Sequence, residues 1–173
     1  SDVCSSDLKG STAMDKTTWL ASTIEEPIDA LEEIVDPHHH LWDFPTGTYL
    51  LPELHEDTGS GHNVTQTVFI ECGAGYKDQG PDYLRPVGEV EFVSEQANLS
   101  AEQEGAEIAA IVGFADLTRG EAVAEVLAAQ DAAGGGRFRG IRHANAWDLS
   151  DEIRASHTKP PPGLLGQDRK SVV

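Results

Sequence analysis

A regular alternation of short β-rich runs with longer helical stretches is the feature that most constrains the fold. Four apolar runs predict strands, at residues 34–37, 67–71, 109–114 and 138–143. Two stretches between them predict helices: 85–99, which has an apolar side, and 121–133, which is rich in helix formers. Strands that alternate with helices are typical of βα units and a parallel sheet. The sequence therefore predicts an α/β fold.

A glycine triplet, Gly134, Gly135 and Gly136, follows the second predicted helix. A phosphate-binding loop would follow a strand and open a helix, whereas this triplet follows a helix and opens a strand. Glycine adopts the left-handed conformation that ends helices without a steric penalty. The triplet therefore predicts a helix-terminating turn.

The two ends of the chain do not continue the pattern. Residues 1–8 (SDVCSSDL) and 168–173 (DRKSVV), read back into codons, fit two opposite short-read sequencing adapters. We interpret both ends as adapter translation. The segment from 9 to 167 is then expected to be a fragment of a longer protein.

The charge and composition of the chain limit which classes of partner and which cellular location are expected. The formal charge of −18, from 12 Lys and Arg against 30 Asp and Glu, would repel a phosphate backbone, so no nucleic-acid partner is expected. No apolar run approaches the roughly 18 residues of a membrane span, so no membrane association is expected. Outside residues 1–8, Cys72 is the single cysteine, which excludes an internal disulfide and predicts a reducing, cytoplasmic location.

Three consecutive histidines stand at the end of the first predicted strand, in IVDPHHHLWDF at 34–44. Side chains alternate along an extended strand, so Asp36, His38 and His40 would point one way and His39 the other. Two imidazoles on one face can approach a single divalent ion, and a nearby carboxylate can bind or orient them. The alternative is a solvated, histidine-rich turn, with His39 as the structural member of the three.

The other strand ends also carry polar groups, and in a parallel sheet such positions hold catalytic residues. They are Glu71 and Cys72, then Asp116, then Arg142 and His143. Arg142 could clamp a substrate carboxylate or phosphate, or pair with one of the many acids. Trp42 and Trp147 could wall a pocket or simply belong to the core.

The remaining histidines are interpreted as solvated. His55 and His62 lie in the polar stretch LPELHEDTGSGHN, which is predicted to be a loop, and His157 lies in the proline-rich tail.

These motifs together resemble the amidohydrolase-related (amidohydrolase 2) family, predicted metal-dependent hydrolases of the TIM-barrel fold. The resemblance covers about 34–165 and is carried, in order, by DPHHHLWDF, VFIECGA, IVGFADL and GGRFRGIRHA. It implies the N-terminal half of a (β/α)8 TIM barrel, about four βα units. The domain organisation expected from it is an N-terminal segment at 9–33 and a partial barrel domain at 34–167.

The resemblance implies hydrolysis of C–O or C–N bonds in a small carboxylated lactone, ester or amide through metal-activated water. His38 and His40 would bind a divalent ion, zinc or alternatively manganese, with which some family members dispense. From their places at or near the strand ends, the residues expected to contact the substrate or support the ligands are Asp36, Trp42, Glu71, Asp116, Arg142 and His143; for Arg142 the resemblance implies the same. The general-base aspartate would follow residue 167, so the fragment alone is expected to be inactive.

Two alternatives stay open at this point: a decarboxylase of the same family, and a non-catalytic metal-binding or interaction module. The implied partner is a small anionic substrate, with a homo-oligomer of the full-length protein as a further expectation. Half a barrel would leave closing strand edges unpaired, which predicts marginal stability and a tendency to associate.

Overall fold

A parallel sheet with helices is the framework of the protein in the computed structural model, which describes residues 18–19, 21–23, 25–145, 150 and 152. The strands are β1 (Glu33–His39), β2 (Trp42–Phe44), β3 (Gly47–Tyr49), β4 (Asn63–Ile70), β5 (Glu107–Phe114) and β6 (Phe138–Arg142). The helices are α1 (Leu51–Thr58), α2 (Val87–Ala101) and α3 (Val123–Ala133), with short 3-10 helices at Asp82–Leu84 and Leu117–Ala122. The predicted α/β class is confirmed.

Four strands form the main sheet in the order β1, β4, β5, β6, and every neighbouring pair is parallel. The helices α2 and α3 connect β4 to β5 and β5 to β6, which is the crossover that parallel strands require. Each predicted strand corresponds to one of these four. Their carboxyl ends therefore lie along one edge of the sheet.

The core lies mainly between this sheet and α2. Phe69, Ile108 and Ile111 from the central strands are fully buried, as are Val90 and Val93 on α2. Helix residues three apart lie on one face, so these two valines face the sheet together. Burying each such side chain stabilises the fold by about 1.5–3 kcal/mol.

The segment between β1 and β4 differs from the prediction. The stretch predicted as a loop contains the helix α1, and an antiparallel hairpin of β2 and β3 precedes it. The backbone N–H of Leu50 donates to Glu53 Oε2 at 2.8 Å, which caps the start of α1. Leu51 and Leu54 are buried against the core, so tertiary packing stabilises a polar sequence as a helix.

The glycine triplet ends α3, as predicted. Gly134 donates its N–H to the carbonyl oxygen of Gln130 at 2.8 Å. Gly135 and Gly136 then adopt φ values of 57° and 82°, in the region that favours glycine, and the chain turns into β6.

Several sequence expectations lie outside the described residues: both adapter-like ends, Trp147, His157 and residues 9–17, 20 and 24 of the N-terminal segment. Among the described residues, no helix is both long and apolar enough to cross a membrane.

Candidate functional site

The histidine pair at the end of β1 is the centre of the candidate site. The Nε2 atoms of His38 and His40 are 3.2 Å apart, and the two rings meet edge to face with centroids 4.9 Å apart. Two nitrogen ligands of a tetrahedral zinc ion, each about 2.0–2.1 Å from the metal, are separated by about 3.3 Å. The spacing of the two nitrogens therefore fits a shared zinc ion.

A backbone carbonyl at the end of β4 orients His40. Its Nδ1 lies 2.7 Å from the carbonyl oxygen of Ile70. A carbonyl can only accept, so Nδ1 carries the hydrogen and Nε2 presents its lone pair toward His38. This is the arrangement in which outer hydrogen bonds prepare histidines for metal binding.

The Oδ1 oxygen of Asp36 contacts the backbone of His38 rather than an imidazole ring. This oxygen accepts the backbone N–H of His38 at 3.0 Å. The register of β1 against β4 shifts between Asp36 and His39, so the strand is irregular where the histidines begin. The carboxylate thus helps to set the direction of the chain at His38.

His39 occupies a different environment from its neighbours. It is 7% exposed and its Nε2 lies 3.1 Å from Thr67 Oγ1 on the adjacent strand. Burial lowers the pKa of His39 to about 4, and the carboxylate of Asp36 acts in the opposite direction. His39 is therefore a neutral residue packed inside the fold.

Glu71 and Arg142 form an ion pair across the carboxyl ends of β4 and β6. Arg142 Nε donates to Glu71 Oε1 at 2.7 Å, and its Nη2 donates to the backbone oxygen of Glu71 at 2.5 Å. The two side chains are 26% and 14% exposed. Of the two roles open to Arg142, the salt bridge is present, and a substrate anion would have to compete with Glu71.

Asp116 and His143 lie together after β5 and β6. Asp116 Oδ1 accepts from the Thr118 backbone N–H at 2.9 Å and from its hydroxyl at 2.6 Å. Burial opposes ionisation of Asp116, but these bonds, with His143 and Arg119, outweigh it and lower its pKa. His143 Nδ1 accepts the N–H of Leu117 at 3.1 Å and lies 4.0 Å from Asp116 Oδ1. His143 therefore keeps its hydrogen on Nε2.

A cleft of about 620 Å³ extends from the histidine pair along β1 to the hairpin and α1. Trp42 lines it, as a pocket wall would, and stacks on Tyr49 with ring centroids 5.1 Å apart and an interplanar angle of 24°. The Tyr49 hydroxyl donates to Asp57 Oδ2 at 2.6 Å. Burial and the surrounding carboxylates raise the pKa of Tyr49. One wall of the cleft is thus formed by two stacked aromatic rings, with acidic side chains beside them.

Tyr49, Asp57 and Glu89 were missed by the sequence reasoning. The first two depend on the hairpin and on α1, which the polar composition of the segment concealed. The leucines at 50, 51 and 54 are spaced as one face of a helix requires, and this spacing was the available signal.

Glu89, near the start of α2, holds the loop that follows β4. Its side chain is fully buried, and Oε1 accepts the backbone N–H groups of Cys72 at 2.9 Å and Ala74 at 2.8 Å. Burial raises the pKa of Glu89 to about 6, against the lowering effect of these hydrogen bonds. Burial likewise raises the pKa of Cys72 to about 12, so its thiol stays protonated. No periodic pattern distinguishes this glutamate from solvated ones.

The prediction that His55 is solvated is wrong. His55 lies on α1, is half-buried, and its Nε2 is 3.1 Å from the carbonyl oxygen of Ala106. The helix brings this ring against the segment that leads into β5. His62 is exposed, as expected, and lines the cleft.

Among the described residues, no group of three or more His, Cys, Asp or Glu side chains is arranged to hold a metal ion. The histidine pair is therefore a two-ligand arrangement in this part of the chain. No protein-family model, curated protein or solved structure matches the chain.

Proposed function

We propose that this chain carries the first-strand part of a metal-dependent hydrolase centre that acts on C–O or C–N bonds of a small lactone, ester or amide. The observation that carries the proposal is the 3.2 Å separation of the Nε2 atoms of His38 and His40. The hydrogen bond from His40 Nδ1 to Ile70 supports it, because it directs the lone pair of Nε2 toward the shared position.

The proposed architecture is the N-terminal half of a (β/α)8 barrel in a cytoplasmic protein. Four parallel strands in sequential order, with helices in the connections, support it. The outer strands β1 and β6 would pair with further strands in a closed barrel. Size-exclusion chromatography of this chain should then show self-association, and a stable monomer would count against the half-barrel.

His38 and His40 would hold the ion, zinc or alternatively manganese. When bound, a divalent ion lowers the pKa of a water molecule and polarises a carbonyl group. Asp36 holds the backbone of His38 in place, and Ile70 fixes the tautomer of His40. These contacts reduce the rearrangement needed for binding. Because His40 Nε2 presents a lone pair, His38 Nε2 donates to it in the metal-free chain, and the His38 ring hydrogen would have to move to Nδ1 for an ion to bind.

An anionic, carboxylated substrate, as the family resemblance implies, would use Arg142. Because two of its nitrogens contact Glu71, the arginine would have to exchange Glu71 for the substrate carboxylate. Asp116 and His143 lie at the same sheet edge and are proposed to support the substrate side of the centre.

A non-catalytic metal-binding module is the second candidate. The separation of 3.2 Å between the two Nε2 atoms favours it equally, because binding an ion requires no general base. Such a module would bind zinc through the same histidines but would have no turnover in any longer form of the protein.

The test combines zinc titration with a hydrolysis assay. Zinc should bind the 173-residue chain at one site that is lost in His38→Ala and His40→Ala. The resemblance implies a general base after residue 167, so lactones, esters and amides are assayed with the product of the source gene as well. Zinc-dependent hydrolysis that His38→Ala abolishes supports the enzyme. Zinc binding without turnover supports the module, and no zinc binding contradicts both.

A further inference from the structure

The cleft beside the histidine pair carries uncompensated negative charge. Its titratable lining consists of histidines, Tyr49, Asp36 and Asp57, and none of the residues that line it is Lys or Arg. Within the described part of the chain, neither aspartate has a Lys or Arg partner within ion-pair distance. Arg142, the cation expected to select an anion, is paired with Glu71 and does not line the cleft.

The stacked aromatic rings lie close to carboxylates as well. Trp42 stacks on Tyr49, and the Tyr49 hydroxyl contacts Asp57. The carboxylates of Asp57, Asp36 and Glu53 all act to raise the pKa of Tyr49, after the larger effect of burial. An anion placed here would meet the same repulsion as the phenolate form of Tyr49.

A positively charged organic group meets the opposite conditions. Aromatic faces attract ammonium groups through the ring quadrupole, and a nearby carboxylate adds a direct charge attraction. The apolar side chains of Leu54, Ile34 and Val64 would contact the carbon substituents of such a group. Of the groups that could fill the cleft, a substituted ammonium satisfies both the aromatic wall and the carboxylates.

We propose that the cleft binds an organic ammonium group, so that the substrate is an ester or amide carrying a positive charge rather than a carboxylate. The ammonium end would lie against Trp42 and Tyr49, near Asp57. The ester or amide end would then lie toward His38 and His40, which line the same cleft. The substrate assignment rests on the proposed hydrolase function, whereas binding of the ammonium group does not.

The experiment compares two probes of similar size and opposite charge, benzyltrimethylammonium and phenylacetate, by isothermal titration calorimetry of the 173-residue chain at about pH 8. An ordinary imidazole carries no charge at that pH. The ammonium should bind at least about tenfold more tightly than phenylacetate. Tighter binding of phenylacetate, or binding of neither probe, would overturn the proposal.

Variants locate the binding. Asp57→Asn keeps the acceptor for Tyr49 and should weaken ammonium binding about fivefold. Trp42→Leu should weaken it about tenfold. Glu95→Gln is the matched control, because it removes an exposed carboxylate on α2 that does not line the cleft. If Asp57→Asn and Trp42→Leu bind the ammonium as tightly as Glu95→Gln does, the ammonium binds elsewhere and the proposal is wrong.

A zinc titration of the same samples separates this inference from the proposed function. Zinc binding without ammonium binding would refute the cationic substrate and leave the hydrolase intact. Ammonium binding without zinc binding would refute the hydrolase and leave a cation-binding cleft.

Discussion

His38 and His40 turn their Nε2 atoms toward each other at 3.2 Å, although the histidine between them is packed into the protein. The strand alternation places the pair on one side of β1, and the Ile70 carbonyl orients one of the two rings. The two nitrogens therefore need to move little to receive a metal ion, which would displace the hydrogen that His38 Nε2 donates to His40.

The zinc affinity should depend on His40. Replacement by alanine removes one of two ligands, and loss of a supporting hydrogen bond alone typically costs about 10–100-fold in affinity, so His40→Ala should cost about 100-fold or more. Competition with a fluorescent zinc chelator measures the change. His62→Ala is the control, because it removes an exposed histidine outside the pair. Equal losses in both variants would show that zinc binds histidines nonspecifically.

Glu89 should make the fold less stable as the pH rises from about 4.5 to about 6. Its pKa is higher in the folded chain than in the unfolded chain, so the folded state keeps this proton to a higher pH and is favoured below that window. Across it the wild type should lose about 2 kcal/mol relative to Glu89→Gln. Urea unfolding at a series of pH values measures the difference. Parallel curves for the two proteins would show that Glu89 titrates normally.

His39 should have the opposite effect. Its pKa is lowered to about 4 by burial, so the unfolded chain binds a proton between pH 6.5 and 4 that the folded chain refuses. The wild type should therefore lose up to about 3 kcal/mol relative to His39→Leu as the pH falls through this range. The same unfolding series tests this. If His39→Leu and the wild type lose the same stability as the pH falls, His39 is not a buried, neutral residue.

Gly113→Ala should destabilise the fold by about 1–3 kcal/mol, because an added methyl group overpacks the interior. A Cβ at Gly113 would collide with the side-chain oxygen of Gln130, which is fully buried and held by a hydrogen bond from its Nε2 to Phe114. Gly140→Ala on the neighbouring strand β6 is the matched control, since nothing lies within 4 Å of its added Cβ. Thermal unfolding should separate the two variants by several degrees. A Gly113→Ala protein as stable as its control would show that Gln130 can move.

The strands and the two long helices could be predicted because their signals are local. Apolar runs, helix formers and a glycine triplet each identify an element within a few residues. The helix α1 was not predicted because its leucines stand among polar residues. Their burial is apparent only in the folded protein. His55 was misjudged for the same reason, since its partner, Ala106, is distant in the sequence.

The candidate site divides in the same way. The alternation of side chains along β1 is a local property, and the sequence by itself therefore sets His38 and His40 apart from His39. Hydrogen bonds between distant residues are not local, and folding alone brought His40 to Ile70, Arg142 to Glu71 and Glu89 to the loop after β4. Composition established that the chain is acidic, but only the packing of α1 and the hairpin beside β1 collected Asp57, Tyr49 and Trp42 around one cleft. Charge and periodicity can be identified from residues that are close in the sequence. Which distant side chains contact one another depends on which strand ends the sheet topology brings together.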